Sequence, residues 1–199
     1  MFKSWQEYRT LTRSFLSGYI EKPIATVLNS AGFSPNKITI CGLILNIITA
    51  HQISLGNFLE SGILLILASS LDMVDGTLAR MQNKVTKVGA LFDSCVDRLS
   101  EAFIFLGLLA HYSTHQQETH ILFLIYVSII SSFMVSYLRA RGEGLGVDCK
   151  VGFMTRPERI VTMVFGLLLN QVLFALIIIS VLSTITSIHR FWHIKNELS

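Results

Sequence analysis

Asp72, Asp75, Asp93 and Asp97 lie in one stretch, Leu71 to Leu99, that joins two apolar segments. A chain that sets four carboxylates beside so much apolar surface has few folds open to it. Asp72 and Asp75 are three residues apart and Asp93 and Asp97 four apart, so on helices each pair projects from a single face, about one turn along. The connecting residues Met81 to Val88, MQNKVTKV, are polar and basic enough for a solvent-side turn between antiparallel helices, which brings the two pairs into one cluster. Four carboxylates left alone repel. Hard divalent cations take oxygen ligands and bring opposite charge, so one or two Mg²⁺, Mn²⁺ or Ca²⁺ ions would keep such a cluster ionised. Gly76 and Ala79, on or beside the Asp72/Asp75 face, leave room for another backbone or a flat ligand, and Arg80 adds a positive charge nearby.

The rest of the chain reads as a membrane protein. Of its 199 residues 51% are hydrophobic and 15% charged, with a mean hydropathy of +0.56, a profile that suits an all-α integral membrane domain better than a soluble one. Six apolar segments, near 37–55, 58–82, 87–111, 119–141, 157–171 and 172–190, are each about long enough to cross roughly 30 Å of hydrocarbon. From Ile160 to Ile188 the apolar run is almost unbroken; as one span it would overshoot the bilayer, and Leu169 to Val172, LNQV, is where a tight turn can fall. Residues 1–33 carry apolar side chains at helical spacing, interleaved with Lys3, Arg9, Arg13 and Lys22, and read as an amphipathic helix in the membrane interface. Ser34-Pro35 is a helix start. A single domain over 1–199 follows, with a six-helix bundle at 34–190 and a tail at 191–199. MFKSWQEYRTLTRSF has no apolar core and is not a cleavable signal peptide.

Charge placement gives the orientation. Lys37 and the cations before it, then Arg80, Lys84 and Lys87, then Arg139, Arg141, Lys150, Arg156 and Arg159, then Arg190 and Lys195 fall at alternate ends of the segments. The opposite loops hold no Lys or Arg, and Glu60, His111, His115, Glu118 and His120 there read as loop residues. By the positive-inside rule both termini and the aspartate turn face the cytoplasm, with the chain in the cytoplasmic membrane. Arg98 alone stays inside a span, and Glu101 or another carboxylate is its expected partner. Asp72 sits up to about 15 Å from the cytoplasmic end of its helix, a depth at which ionisable residues are paired, metal-bound or facing water. The net charge of +3 gives no ground for a nucleic-acid partner. Cys41, Cys95 and Cys149 follow no disulfide or zinc spacing and read as small hydrophobes in packed helices.

Asp72, Asp75, Gly76, Ala79, Arg80, Gly89, Asp93 and Asp97 together form D-x-x-D-G-x-x-A-R, eight residues, then G-x-x-x-D-x-x-x-D. This resembles the signature of the CDP-alcohol phosphatidyltransferase family, and all eight positions match. The resemblance implies transfer of a substituted phosphate from a CDP-linked lipid to an alcohol, with release of CMP. It implies two Mg²⁺ or Mn²⁺ ions held mainly by Asp72, Asp75 and Asp93, with Asp97 both at the metal cluster and placed as general base toward the attacking hydroxyl. Arg80, Gly76 and Ala79 would border the cytidine diphosphate. Pro35 to Thr39, PNKIT, resembles a further family element, which adds Asn36 and Thr39 to the donor site.

SYLRARGE and RPER resemble the branch that uses inositol 1-phosphate, the phosphatidylinositol-phosphate and archaetidylinositol-phosphate synthases; Gly142 stands where that branch leads one to expect Ala. Carried over by position, Arg139, Arg156 and Arg159 hold the acceptor phosphate, with Arg141 and Lys150 as helpers, since Arg suits bidentate phosphate binding. Glycerol 3-phosphate, which also brings a phosphate, is the alternative acceptor. A small metal or proton transporter is the distant alternative and leaves the aspartate spacing unexplained. The resemblance also implies a homodimer. Ester-linked acyl and ether-linked isoprenoid donors remain open, because tails ask only for an apolar groove, as does Mg²⁺ against Mn²⁺, which take the same ligands.

Overall fold

The structure, a computed structural model, describes residues 21–115 and 119–199. Among these residues it contains helices and no strands: α1 (Lys22–Ser30), α2 (Pro35–Ser54), α3 (Phe58–Met81), α4 (Lys87–His115), α5 (Thr119–Gly144), α6 (Arg156–Leu168) and α7 (Val172–Leu198). The expected interfacial helix falls largely on residues 1–20, which lie outside the described residues; of its expected range the structure describes 21–33, with α1 in it. Six helices stand where the six apolar segments are. Four of them, α2, α3, α5 and α7, are long and apolar enough to cross a membrane. α4 has the length, but its first half carries Asp93, Asp97, Arg98 and Glu101. α6 has 13 residues, about 20 Å at the helical rise.

The described residues group into two packed units, one of 21–45 and 67–99, the other of 46–66 and 100–199. In the first, Ala25 of α1, Ile38 of α2 and Val74 and Leu78 of α3 form a small core, with Leu28 and Leu71 against it. The spacing of Leu71, Val74 and Leu78 puts them on one face of α3. α1 stops at Gly32, whose φ of +76° lets the Phe33 N–H reach back to the Leu28 carbonyl at 3.0 Å, satisfying the frayed end. Gln82 Nε2 then donates to Asn29 Oδ1 (3.0 Å) and to the Phe33 carbonyl (2.9 Å), tying the end of α3 to the α1–α2 corner.

The expected turn between the aspartate helices is present. Asn83 takes a left-handed conformation (φ +54°), which Asn tolerates better than most residues, and the Lys84 N–H closes on the Ala79 carbonyl at 3.0 Å. Thr86 caps α4, its hydroxyl accepting the Gly89 N–H at 3.0 Å. A Cβ at Gly89 would press on that hydroxyl, which gives the signature glycine a local structural reason.

In the second unit the core includes Ile53, Phe105, Leu108, Ile125, Leu167 and Leu176. Helices approach closely where side chains are small: Gly107 meets the Ala50 backbone and Gly166 meets Ala175, as in membrane helix packing. α5 and α7 bury a seam of Ser128, Ser131 and Ser132 against Ser180, Ser183 and Thr186. Ser128 Oγ donates to the Leu176 carbonyl and Ser187 Oγ to the Ser131 carbonyl, each at 3.3 Å. The outer faces show Phe123, Tyr126 and Ile130 on α5 and Phe174, Ile178 and Val181 on α7, which suits lipid rather than water.

LNQV is the turn between α6 and α7, with Asn170 at φ +53° and the Gln171 N–H on the Gly166 carbonyl at 2.7 Å. Two details differ from expectation. The segment 191–199, expected as a tail, is helical: α7 runs on to Leu198, with Lys195 Nζ 4.6 Å from the centre of the Trp192 ring. His111 is not a loop residue but a buried one in α4, edge-on to Phe58 and Tyr112 at centroid distances of 4.8 and 5.0 Å, because α4 continues past the expected end of its segment. Glu60 and His120 fall in the first turns of α3 and α5; Glu118 and the His115 side chain lie outside the described residues.

A Cβ at position 107 would overlap the Ala50 carbonyl, so Gly107→Ala is expected to cost about 1–3 kcal/mol and to lower the melting temperature in detergent. Gly144→Ala, where a Cβ meets nothing within 4 Å, is expected to stay within about 0.5 kcal/mol of the parent.

Candidate active site

Asp72 and Asp75 project from α3 and Asp93 from α4, and one carboxylate oxygen from each lies within 4.8 Å of the others. The i, i+3 spacing on α3 and the capped turn at Met81–Lys87 make this convergence a local consequence of the sequence. Asp75 is buried, Asp72 and Asp93 half-buried. The Thr39 hydroxyl of α2, also buried, donates to Asp75 Oδ2 at 2.6 Å. This fixes one carboxylate by a neutral donor, which brings no opposite charge of its own. Three carboxylate oxygens at this separation, one of them from Asp75, a residue 4% exposed, fit a hard divalent cation, which supplies the opposite charge that the group needs.

The expected cluster of four is thus a close group of three, with Asp97 outside it, half-buried one turn further along α4. Thr39 and Asn36 part company: Thr39 is hydrogen-bonded to Asp75, while Asn36 is exposed at the start of α2. Gly76 and Ala79 are half-buried and Arg80 is exposed on the same helix.

Arg80 is held by two residues that the sequence did not single out. Its Nη2 donates to Thr77 Oγ1 at 2.7 Å, and the Thr77 hydroxyl donates to Glu21 Oε2 at 2.6 Å. Glu21 and Thr77 are both buried. The only signal for Glu21 was an acidic residue in a basic segment, and for Thr77 a position one turn before Arg80.

The basic residues of the second unit divide by burial. Arg159 has 2% of its side chain exposed and grips Glu101 with two parallel bonds, Nε to Oε1 at 2.6 Å and Nη2 to Oε2 at 2.8 Å. Its Nη1 is buried without a hydrogen-bond partner. Glu101 therefore serves Arg159, and Arg98, for which Glu101 or another carboxylate was the expected partner, donates to the Ser94 carbonyl one turn back. Arg139 pairs with Glu143 (2.9 Å) and Lys150 with Asp148 (2.7 Å), all half-exposed or more; such surface pairs contribute little and part easily. Arg141 is exposed, and Arg156 is half-buried at the first turn of α6, which is capped by the Glu158 carboxylate accepting the Thr155 N–H at 3.0 Å.

Arg190 was read only as a flanking charge. It is 2% exposed and ties the loop after α5 into place, Nε on the Val151 carbonyl (2.9 Å) and Nη1 on the Val135 carbonyl (2.5 Å). Gly142 has a packing reason, since a Cβ there would stand 3.0 Å from Ile194 Cδ1 and 3.2 Å from Cys149 Cβ. Cys149 is the cysteine that packs as a small hydrophobe: burial pushes its thiol up from the ordinary range and keeps it protonated. Cys41 and Cys95 are exposed instead.

Removing either partner of the buried Arg159–Glu101 pair strands a charge. Arg159→Ala and Glu101→Ala are each expected to destabilise by about 3–5 kcal/mol, with the double variant losing less than the sum. Lys150→Ala is expected to stay within about 0.5 kcal/mol; detergent melting curves compare them.

A sequence profile described as CDP-alcohol phosphatidyltransferase matches residues 33–189. The archaetidylinositol phosphate synthase of Pyrococcus horikoshii is 35% identical over 176 residues, covering 88% of this chain and 90% of that protein. The crystal structure of Mycobacterium tuberculosis phosphatidylinositol phosphate synthase with CDP-DAG bound superposes with a TM-score of 0.82 at 26% identity, over 88% of this chain and 93% of that one. The same enzyme in complex with manganese and citrate also gives 0.82 at 26% identity, covering 88% of each chain.

Proposed function

The chain belongs to the CDP-alcohol phosphatidyltransferase family and is a transferase, and we propose that it moves a phosphatidyl-type group from a CDP-linked lipid to the hydroxyl of inositol 1-phosphate, releasing CMP. The observation that carries this reading is the group of Asp72, Asp75 and Asp93 oxygens within 4.8 Å of one another, at signature positions. The similarity to two inositol phosphate synthases supports the acceptor.

Asp72, Asp75 and Asp93 would hold the divalent ions, Mg²⁺ or Mn²⁺ and two in number. When bound, they neutralise the donor's diphosphate and make CMP a better leaving group. Asp97, one turn away on α4, takes the proton of the attacking hydroxyl as its oxygen bonds to phosphorus and the bond from phosphorus to the CMP oxygen breaks. Thr39 keeps Asp75 oriented. Arg80 flanks the nucleotide diphosphate, with Gly76 and Ala79 giving it close access and Asn36 at the rim. Arg139 and Arg156 bind the acceptor phosphate, Arg139 being exposed and able to exchange its surface partner Glu143 for a ligand, with Arg141 and Lys150 as helpers. Arg159 contributes through its buried Nη1, its other nitrogens being engaged by Glu101.

All six apolar segments cross the membrane in this reading. α3, α5 and α7 each end at a basic terminus, Arg80, Arg141 and Lys195, which supports a chain that returns across the bilayer between them. Between α3 and α5 the returning helix is α4, and between α5 and α7 it is α6. The basic ends, both termini and the site then face the cytoplasm, residues 1–33 lie in the interface, the chain is one domain, and two copies form a homodimer.

CMP release from CDP-diacylglycerol in Mg²⁺, with inositol 1-phosphate, free inositol and glycerol 3-phosphate in parallel, tests the reading. Turnover is expected with inositol 1-phosphate alone, and Arg156→Ala is expected to raise the KM for it by about tenfold or more. Turnover with glycerol 3-phosphate instead would move the acceptor to a different phosphorylated polyol.

A further inference from the structure

We propose that Glu21 is a positioning residue for Arg80: through the Thr77 hydroxyl it fixes the guanidinium beside Gly76, where the donor's cytidine diphosphate lies. The inference rests on the donor placement given above. It brings the N-cap of α1 into donor recognition, although neither Glu21 nor any residue of that helix belongs to the signature.

The burial of the two charged groups differs. The Arg80 side chain is 59% exposed and that of Glu21 8%. A long exposed cation samples many rotamers and loses that freedom when it meets a ligand. A buried carboxylate, by contrast, is kept only where it is hydrogen-bonded, and Glu21 has its bond from Thr77 at 2.6 Å. The fixed end of the chain is therefore the acid and the end available to a ligand is the arginine.

The protons allow one direction only. Thr77 has a single hydroxyl hydrogen, and a carboxylate oxygen can only accept, so that hydrogen goes to Glu21. A lone pair on the same oxygen then accepts Arg80 Nη2–H at 2.7 Å. Arg80 Nη2 and Glu21 Oε2 are 3.9 Å apart, beyond direct hydrogen-bond reach, so Thr77 is the link and the carboxylate acts through it.

Orientation follows. With Nη2 held by Thr77, Nη1 runs alongside Gly76, where a Cβ would stand 3.7 Å from it. Gly76 and Arg80 are four apart and share a face of α3. The relay sets the edge of the guanidinium over the opening that the signature glycine leaves.

A double-mutant cycle on the full chain in nanodiscs tests this, with CDP as the probe and its affinity in Mg²⁺ read by calorimetry, so that the acceptor plays no part. Glu21→Gln and Thr77→Val are each expected to weaken CDP binding about tenfold, Thr77→Ser to stay within about twofold, and neither of the first two to weaken it further in an Arg80→Ala background. If Glu21→Gln binds CDP as tightly as the parent, or loses the same factor with and without Arg80, Glu21 is an anchor for α1 and the proposal is overturned. If Glu21→Gln fails to fold, Thr77→Val against Thr77→Ser decides in the same way. Arg80→Ala with undiminished CDP affinity would remove the donor placement itself and the proposal with it; Arg80→Ala weakened beside an unaffected Glu21→Gln would overturn only the role of Glu21.

Discussion

Three carboxylate oxygens within 4.8 Å of one another repel, and in an apolar protein the repulsion is poorly screened. The surrounding structure holds them in spite of it. Asp72 and Asp75 are fixed by one turn of α3, Asp93 by the capped start of α4, and the turn between those helices is closed by Asn83 and by the Thr86 hydroxyl. Thr39 orients Asp75 with a neutral bond. A cationic partner there would cancel the charge that a divalent ion requires; a hydroxyl positions the oxygen and leaves the charge to the ion.

The arginines show the opposite arrangement. Where an arginine is buried, the protein itself holds it: Arg159 by two of its nitrogens on Glu101, Arg190 on two backbone carbonyls. Arg80 and Arg139, at the ends of α3 and α5, are exposed and bonded to groups that a ligand can displace or share. Residue type and location in the sequence do not separate these two uses of the same side chain. Burial does, and it assigns Arg159 first to holding α6 in place.

Much of this was legible in the sequence, for physical reasons that can be named. The aspartates were, because i, i+3 and i, i+4 spacing fixes a face and the turn chemistry between them is local. The helices were, because apolar runs, Ser34-Pro35 and LNQV mark their ends. The pairings of Glu21 with Thr77 and of Glu101 with Arg159 were not, since each joins residues more than fifty positions apart, and such pairing depends on how each helix is rotated. A helix apolar on nearly all sides gives little sign of that rotation. The shortness of α6 was hidden for a related reason: the apolar run continues through the turn at Asn170, and nothing in it except LNQV distinguishes a 13-residue helix from a full span.

The most direct test of the carboxylate group is Mn²⁺ binding to the purified chain, followed by electron paramagnetic resonance in the absence of donor and acceptor. Binding is expected to be tight in the parent and weakened at least tenfold in Asp75→Asn and in Asp93→Asn, with melting temperatures measured alongside to show that both variants fold. Equal Mn²⁺ affinity in the parent and both folded variants would contradict the account, and would leave the three carboxylates without the cation that explains their closeness.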